Sequence, residues 1–203
     1  MPIVKSLGLL LLSSVCALAA VAPEAGEIAL AYKRAVAGDQ QAVTKCIQLL
    51  ELAVQHEPEN KIARVYLGSA YTLRSRDLGY GPGKLATLKQ GLAMMDAAVS
   101  AAPDNPRVRL VRALTTDSLP FFLGRKQSTA ADFEKLVAEA RTHPEQFTEG
   151  DLQTIYFSAG NAARARGEHR QAVDLWKEAA AHPADRGLSA RIRAALDSSA
   201  ASR

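Results

Sequence analysis

Cysteine, aromatic side chains and long apolar runs are all scarce in this chain, and each scarcity removes a class of protein. The cysteines are two, Cys16 and Cys46, too few for the disulfide framework that holds small extracellular domains together. Aromatic residues make up 5% of a chain that is 48% hydrophobic. Alanine is the commonest of those apolar residues, which argues for close-packed helices over sheets built from Val, Ile and aromatics. No apolar run reaches the ~20 residues of a membrane-spanning helix. The four histidines, His56, His143, His169 and His182, never pair at the helical spacing of a zinc site. Neither a glycine-rich phosphate loop after a strand nor a nucleophile elbow is present, and GYGPG reads as a loop breaker. A non-enzymatic protein without metal or cofactor is therefore expected. Basic and acidic residues number 25 and 21. They are spread along the chain, and the densest run, Arg107, Arg109 and Arg112, reads as a solvated helix face. Nucleic acid is not an expected partner.

The first residues carry a different signal. Lys5 precedes an apolar stretch from Leu7 to Leu12 that continues through Val15, and the small-residue segment Ala17 to Ala20 follows. This order reads as a secretory signal peptide over residues 1–19, with residues 20–26 as a short linker and 27–203 as a single helical domain. The protein is thus expected to be exported, to the periplasm first, with secretion or a lipid anchor on Cys16 as the lesser alternatives. Val15 and Ser13 stand where a lipid-anchored cysteine is usually preceded by a small residue and a leucine. Loss of the leader leaves 24 basic residues against 21 acids, and leaves Cys46 alone on an apolar helix face as a buried filler.

Downstream, apolar residues recur at helical spacing and the segments come in pairs. The clearest pair runs from Gln153 to Asp185. Tyr156, Ala159, Gly160 and Ala163 mark its first helix, Arg166-Gly167-Glu168 its turn, and Ala172, Leu175, Trp176 and Ala179 its second. Second-helix endings then repeat. Cys46, Leu50, Ala53, Pro58 and Gly91, Met95, Ala98, Pro103 share offsets of four, three and five. Phe133, Val137, Ala140, Pro144 and Ala172, Trp176, Ala179, Pro183 keep the four and the three, with the proline one residue sooner. Asn60, Asn105 and the pairs Thr129/Asp132 and Thr148/Asp151 are expected helix caps. These residues resemble the tetratricopeptide repeat: an aromatic, small-Gly and small residues on the first helix, then Ala172, Trp176, Ala179 and Pro183 on the second. The resemblance implies an all-α, right-handed α-solenoid of about four antiparallel helix pairs, with residues 186–199 as a C-terminal capping helix. Proline-to-proline steps of 45, 41 and 39 exceed the standard 34 because of two insertions, at 74–84 and 117–126.

Such arrays line a concave face with the first helix of each pair. Here that gives Val65, Ser69 and Leu73, then Leu110 and Leu114, then Phe157, Asn161 and Arg164. One subfamily clamps a peptide carboxylate with Lys, Asn and Arg at such places. Val65, Ser69, Leu73, Phe157 and Ala165 depart from that pattern and only Asn161 matches, so a more apolar groove is expected. The insertions add Tyr80, Phe121, Phe122 and Leu123 with Lys84, Arg125 and Lys126. Joining helices at one end of the stack, they either plug the gap left by their longer turns or form an apolar recess with a basic rim. The expected function is a periplasmic scaffold for a protein or peptide of the cell envelope. The alternative is an accessory protein holding a small apolar or anionic ligand in that recess.

Overall fold

The computed structural model describes residues 23–200; the leader over 1–19 and Cys16 lie outside the described residues. Among the described residues there are nine α-helices and no strand. They are α1 Ala25–Val36, α2 Gln40–His56, α3 Lys61–Asp77, α4 Pro82–Ala101, α5 Pro106–Asp117, α6 Lys126–Thr142, α7 Glu149–Ala165, α8 His169–Ala180 and α9 Arg186–Ala200. Two 3₁₀ turns, Phe121–Leu123 and Pro144–Gln146, interrupt the connections. The starts of α2, α3, α5 and α7 are set by short polar side chains that accept the otherwise unpaired first amides. Asp39 accepts from the Ala42 amide, Asn60 from Ala63, and Asn105 from both Arg107 and Val108. Thr148 and Asp151 form a reciprocal capping box on α7. Between α7 and α8 the chain reverses at Gly167, whose φ of 83° lies in the left-handed region that a Cβ disfavours.

Consecutive helices pair as antiparallel hairpins, and α9 closes the last of them through Leu188, Ile192, Ala195 and Leu196. The repeating positions of the second helices are the core. Cys46, Leu50, Met95, Ala98, Phe133, Val137, Ala140, Ala172, Trp176 and Ala179 are all buried, and Ala53 packs against them. Within the second hairpin two backbones touch. A Cβ on Gly91 would lie 2.5 Å from the Gly68 carbonyl oxygen, and one on Gly68 would lie 2.7 Å from that of Gly91. In the fourth hairpin Gly160 is opposed by the Trp176 ring, 2.5 Å from where its Cβ would be. The odd-numbered helices run parallel and are tied by hydroxyls. Tyr32 Oη lies 2.8 Å from Ser69 Oγ, and Ser69 Oγ lies 2.8 Å from Thr115 Oγ1.

The third hairpin is built differently. Phe133 occupies the position held by Gly91 and Ala172 in its neighbours, and polar side chains bridge α5 to α6. Asp132, expected to cap α6, sits inside it, because the helix begins at Lys126 rather than near Thr129. Its buried carboxylate accepts from Arg109 Nη1 at 2.8 Å and from Arg112 Nε and Nη2, both at 2.8 Å. Thr129 Oγ1 meets Thr116 Oγ1 at 2.8 Å and donates to the Arg125 carbonyl. Arg109 and Arg112 are thus core ion-pair partners, where a solvated basic face was expected. The insertion at 74–84 also shrinks: α3 continues to Asp77 and α4 starts at Pro82, a residue well suited to a first helical turn. Four residues, Leu78 to Gly81, form the turn.

Two stability outcomes follow from this packing. Gly91→Ala is expected to lower unfolding stability by about 3 kcal/mol, since backbone must move to admit the methyl group. Gly150→Ala, where a Cβ meets nothing closer than 3.8 Å, is expected to raise it by about 0.5 kcal/mol; urea titration of both variants checks the contrast. Asp132→Ala is expected to cost about 3–5 kcal/mol by leaving the buried Arg109 guanidinium without its anion and Arg112 with Asp96 alone. The same titration on Asp174→Ala, whose contact with Lys177 is 4.0 Å long and exposed, should show less than about 1 kcal/mol.

Candidate functional site

A predominantly apolar cleft lies at the N-terminal edge of the stack. There α1, the last turns of α2 and the first turns of α3 splay around a cleft of about 560 Å³. Ile28 and Ala29 form one wall, Leu50 and Ala53 the floor, and Ile62 with Tyr66 the other wall. The Tyr32 ring meets that of Tyr66 edge to face at 4.8 Å between centroids, which fixes both walls in relation to each other. Tyr32 is anchored below through its bond to Ser69, and burial holds its hydroxyl in the neutral form. Polar groups stand only at the rim: Lys33, His56, Glu57 and Asn60. Ile62 is 41% exposed although it faces this apolar surface, so the cleft presents an accessible hydrophobic anchor point.

The concave residues expected from the sequence divide into two groups. Val65, Ser69, Leu110 and Phe157 are buried and cannot meet a ligand. Val65 packs with Met95, Val99 and Val108 between the second and third hairpins. Ser69 is consumed by Tyr32 and Thr115. Leu110 belongs to the C-terminal core, and Phe157 lies in the same core under Arg191 of α9, whose guanidinium is 5.0 Å from the ring centroid. These positions face the neighbouring helices of the stack, in the core clusters between hairpins and in the Ser69–Thr115 contact. Leu114, the other concave-face candidate on α5, is exposed. Asn161 is half-buried, and Arg164 lies over the Trp176 ring at 5.7 Å.

The insertions do not build the recess either. Tyr80 is fully exposed, Phe121 78% and Phe122 74%, so these rings stand out from the surface and plug no gap. Arg125 is a structural cation: its guanidinium donates to Asp96 at 2.5 and 3.0 Å. Asp96 also accepts from Arg112, so one network runs from α4 through α5 to the start of α6. The cleft that exists was missed because its walls come from three helices whose apolar residues all look like ordinary core. Only Ile62 one turn ahead of Tyr66, beside Asn60 at a helix start, marks the place in sequence.

Neither a protein-family model nor a curated protein matches the chain. Solved structures do. TTC0263, a thermophilic TPR protein of Thermus thermophilus, aligns at a TM-score of 0.56 with 19% identity, over 83% of this chain and 88% of that one. The fold is a tetratricopeptide-repeat solenoid. MamA of AMB-1 aligns at a TM-score of 0.51 with 20% identity, over 86% of this chain and 79% of its own. As the repeat implies, the array is right-handed and its four hairpins and cap follow the expected order. Among the described residues no three His, Cys, Asp or Glu side chains cluster as a metal site. No described helix is long and apolar enough to cross a membrane.

Cys46, the one thiol among the described residues, sits behind the cleft in the N-terminal core. Burial pushes its pKa up to about 11. The folded protein is therefore expected to resist iodoacetamide at pH 8 and to react at once on unfolding in urea. The sign for stability follows from the raised value. Unfolded thiol ionises near pH ~8.5 and the folded one does not, so stability is unaffected below that point and falls as pH rises toward 11. Chemical denaturation at pH 7 and pH 10, compared with a Cys46→Ala control, measures it.

Proposed function

We propose that the protein is a non-enzymatic helical scaffold of the bacterial cell envelope that holds an apolar segment of a protein or peptide partner in the cleft between α1, α2 and α3. The carrying observation is that cleft, with an exposed Ile62 on a rigid apolar wall. A tetratricopeptide-like array supports the reading, since folds of this kind serve as interaction scaffolds. Residence in the periplasm rests on the leader-like pattern of residues 1–19. Apolar side chains of a partner would fill the cleft, while Lys33, Glu57 and Asn60 at its mouth offer charge and hydrogen bonds to the flanking backbone. A second reading, a small apolar ligand at the same place, is favoured by the volume of about 560 Å³, which falls in the range of small-molecule sites.

A photo-reactive phenylalanine analogue at Ile62, compared with one at the exposed Ser100 of α4, tests the proposal in cells. Adducts to envelope proteins are expected from position 62 alone, and Ile62→Asp should weaken capture of the identified partner by roughly tenfold or more. A ligand retained in native mass spectra and lost in Ile62→Asp would select the second reading. Neither adduct nor retained ligand would sink both.

A further inference from the structure

We propose that the end of the solenoid where α3 turns into α4 and α5 into α6 is a docking face for a bilayer surface rich in anionic headgroups. The three most exposed aromatic side chains of the described protein are there: Tyr80 at the first turn, Phe121 and Phe122 at the second. Because α3 and α5 run parallel and are joined through Ser69 and Thr115, both turns project from the same end of the stack.

Their exposure is built into the fold. Lys84 Nζ donates to the Leu78 carbonyl at 3.0 Å and to that of Arg76 at 3.3 Å, so the first turn is tied across its own neck. In the second, the Leu123 and Gly124 amides donate back to Pro120 and Phe121, each at 3.1 Å, and Arg125 is fixed to Asp96. The rings are presented in two separate groups. Tyr80 has only Lys84 over its face, Phe121 and Phe122 meet edge to face at 6.1 Å, and no ring contact among the described residues joins the two groups. A protein partner would ask for a continuous apolar patch with a groove; separate protruding rings suit a fluid surface that admits each one on its own.

Charge points the same way. Residues 74–89 hold Arg74, Arg76, Lys84 and Lys89 against Asp77, and residues 117–126 hold Arg125 and Lys126 against Asp117. Their formal charges sum to +4; with Arg125 paired to Asp96 and Arg76 to Asp77, the cations this end presents outward are Arg74, Lys84, Lys89 and Lys126. Among the described residues Arg74, Lys89 and Lys126 take part in no salt bridge, whereas Asp77 is neutralised by Arg76 at 2.8 Å. Asp117 is half-buried, and burial raises its pKa above the ordinary carboxylate value while the nearby Lys126 pulls it back. Aromatic rings at headgroup depth and cations facing anionic lipid are the two attractions a peripheral protein combines.

The full chain is mixed with vesicles of phosphatidylcholine alone or with roughly a third phosphatidylglycerol, and binding is read by co-sedimentation. Binding to the anionic vesicles only, weakened by 0.5 M salt on the order expected for screening, is the expected result. Phe121→Ser/Phe122→Ser and Tyr80→Ser should each lower the partition coefficient by roughly tenfold with unchanged thermal unfolding. Arg74→Gln/Lys89→Gln/Lys126→Gln should do the same. Ile62→Asp should bind vesicles as the unaltered chain does, which separates this face from the cleft. The proposal is overturned by absent or headgroup-independent binding, or by full binding in the aromatic variants, which would mean adsorption by charge alone. It is equally overturned if sedimentation shows that these rings bury in a self-associated species that leaves vesicles alone.

Discussion

The backbone contact between Gly68 and Gly91 is the constraint on which the rest of the stack depends. Removing both Cβ atoms lets α3 and α4 approach until carbonyl oxygen and Cα are in contact, and the hairpin so formed stands in the middle of the array. Its first helix is bonded by Ser69 to α1 on one side and to α5 on the other. A hairpin of this closeness behaves as a rigid post, because dispersion contacts and helix backbones leave no slack for sliding. The positions that a looser array would turn toward an open groove are drawn into these contacts, which is why Val65 and Ser69 are core residues here.

Where the small residue is lost, polar chemistry takes over. Phe133 fills the equivalent place in the third hairpin, and α5 and α6 are joined by Asp132 between Arg109 and Arg112 and by the Thr116–Thr129 contact. A buried carboxylate with two guanidinium partners adds little net stability over an apolar core of the same shape, but it penalises any arrangement that separates the three. Extension of the network through Asp96 to Arg125 carries that specificity outward to the turn bearing Phe121 and Phe122. The aromatic turn is therefore positioned by the core of the hairpin before it.

Much of this was readable from residue spacing alone. The buried positions of the second helices, the caps at Asn60, Asn105 and Thr148, the Gly167 reversal and the closing helix all follow from local rules that tertiary packing did not override. Two kinds of feature were not readable. Asp132 three residues after Thr129 has the spacing of a cap, and only the position of α6 relative to α5 turns it into a buried anion. Phe121 and Phe122 look like gap-fillers because two adjacent phenylalanines are usually covered; their exposure depends on Arg125 and Gly124 holding the turn away from the body. The cleft was hidden for a related reason, since Ile28, Leu50 and Ile62 each sit at ordinary core spacing on their own helices until the splay of the three helices is known.

The cleft and the aromatic turns stand at opposite ends of the same helices, and this geometry has a consequence for how they act together. The cleft uses the first half of α1, the end of α2 and the start of α3, whereas Tyr80, Phe121 and Phe122 follow the C-terminal ends of α3 and α5. A helix of seventeen residues such as α3 spans about 25 Å at 1.5 Å per residue. A partner seated at one end would thus be held clear of a surface touched by the other, with the rigid second hairpin as the spacer. Occupation of either end need not compete with the other for residues, and because the hairpin does not flex, coupling between them would come from shared orientation alone. A scaffold of this kind gains effective concentration by restricting its partner to one layer above a surface, which requires no conformational change and only the stiffness that the Gly68–Gly91 contact supplies.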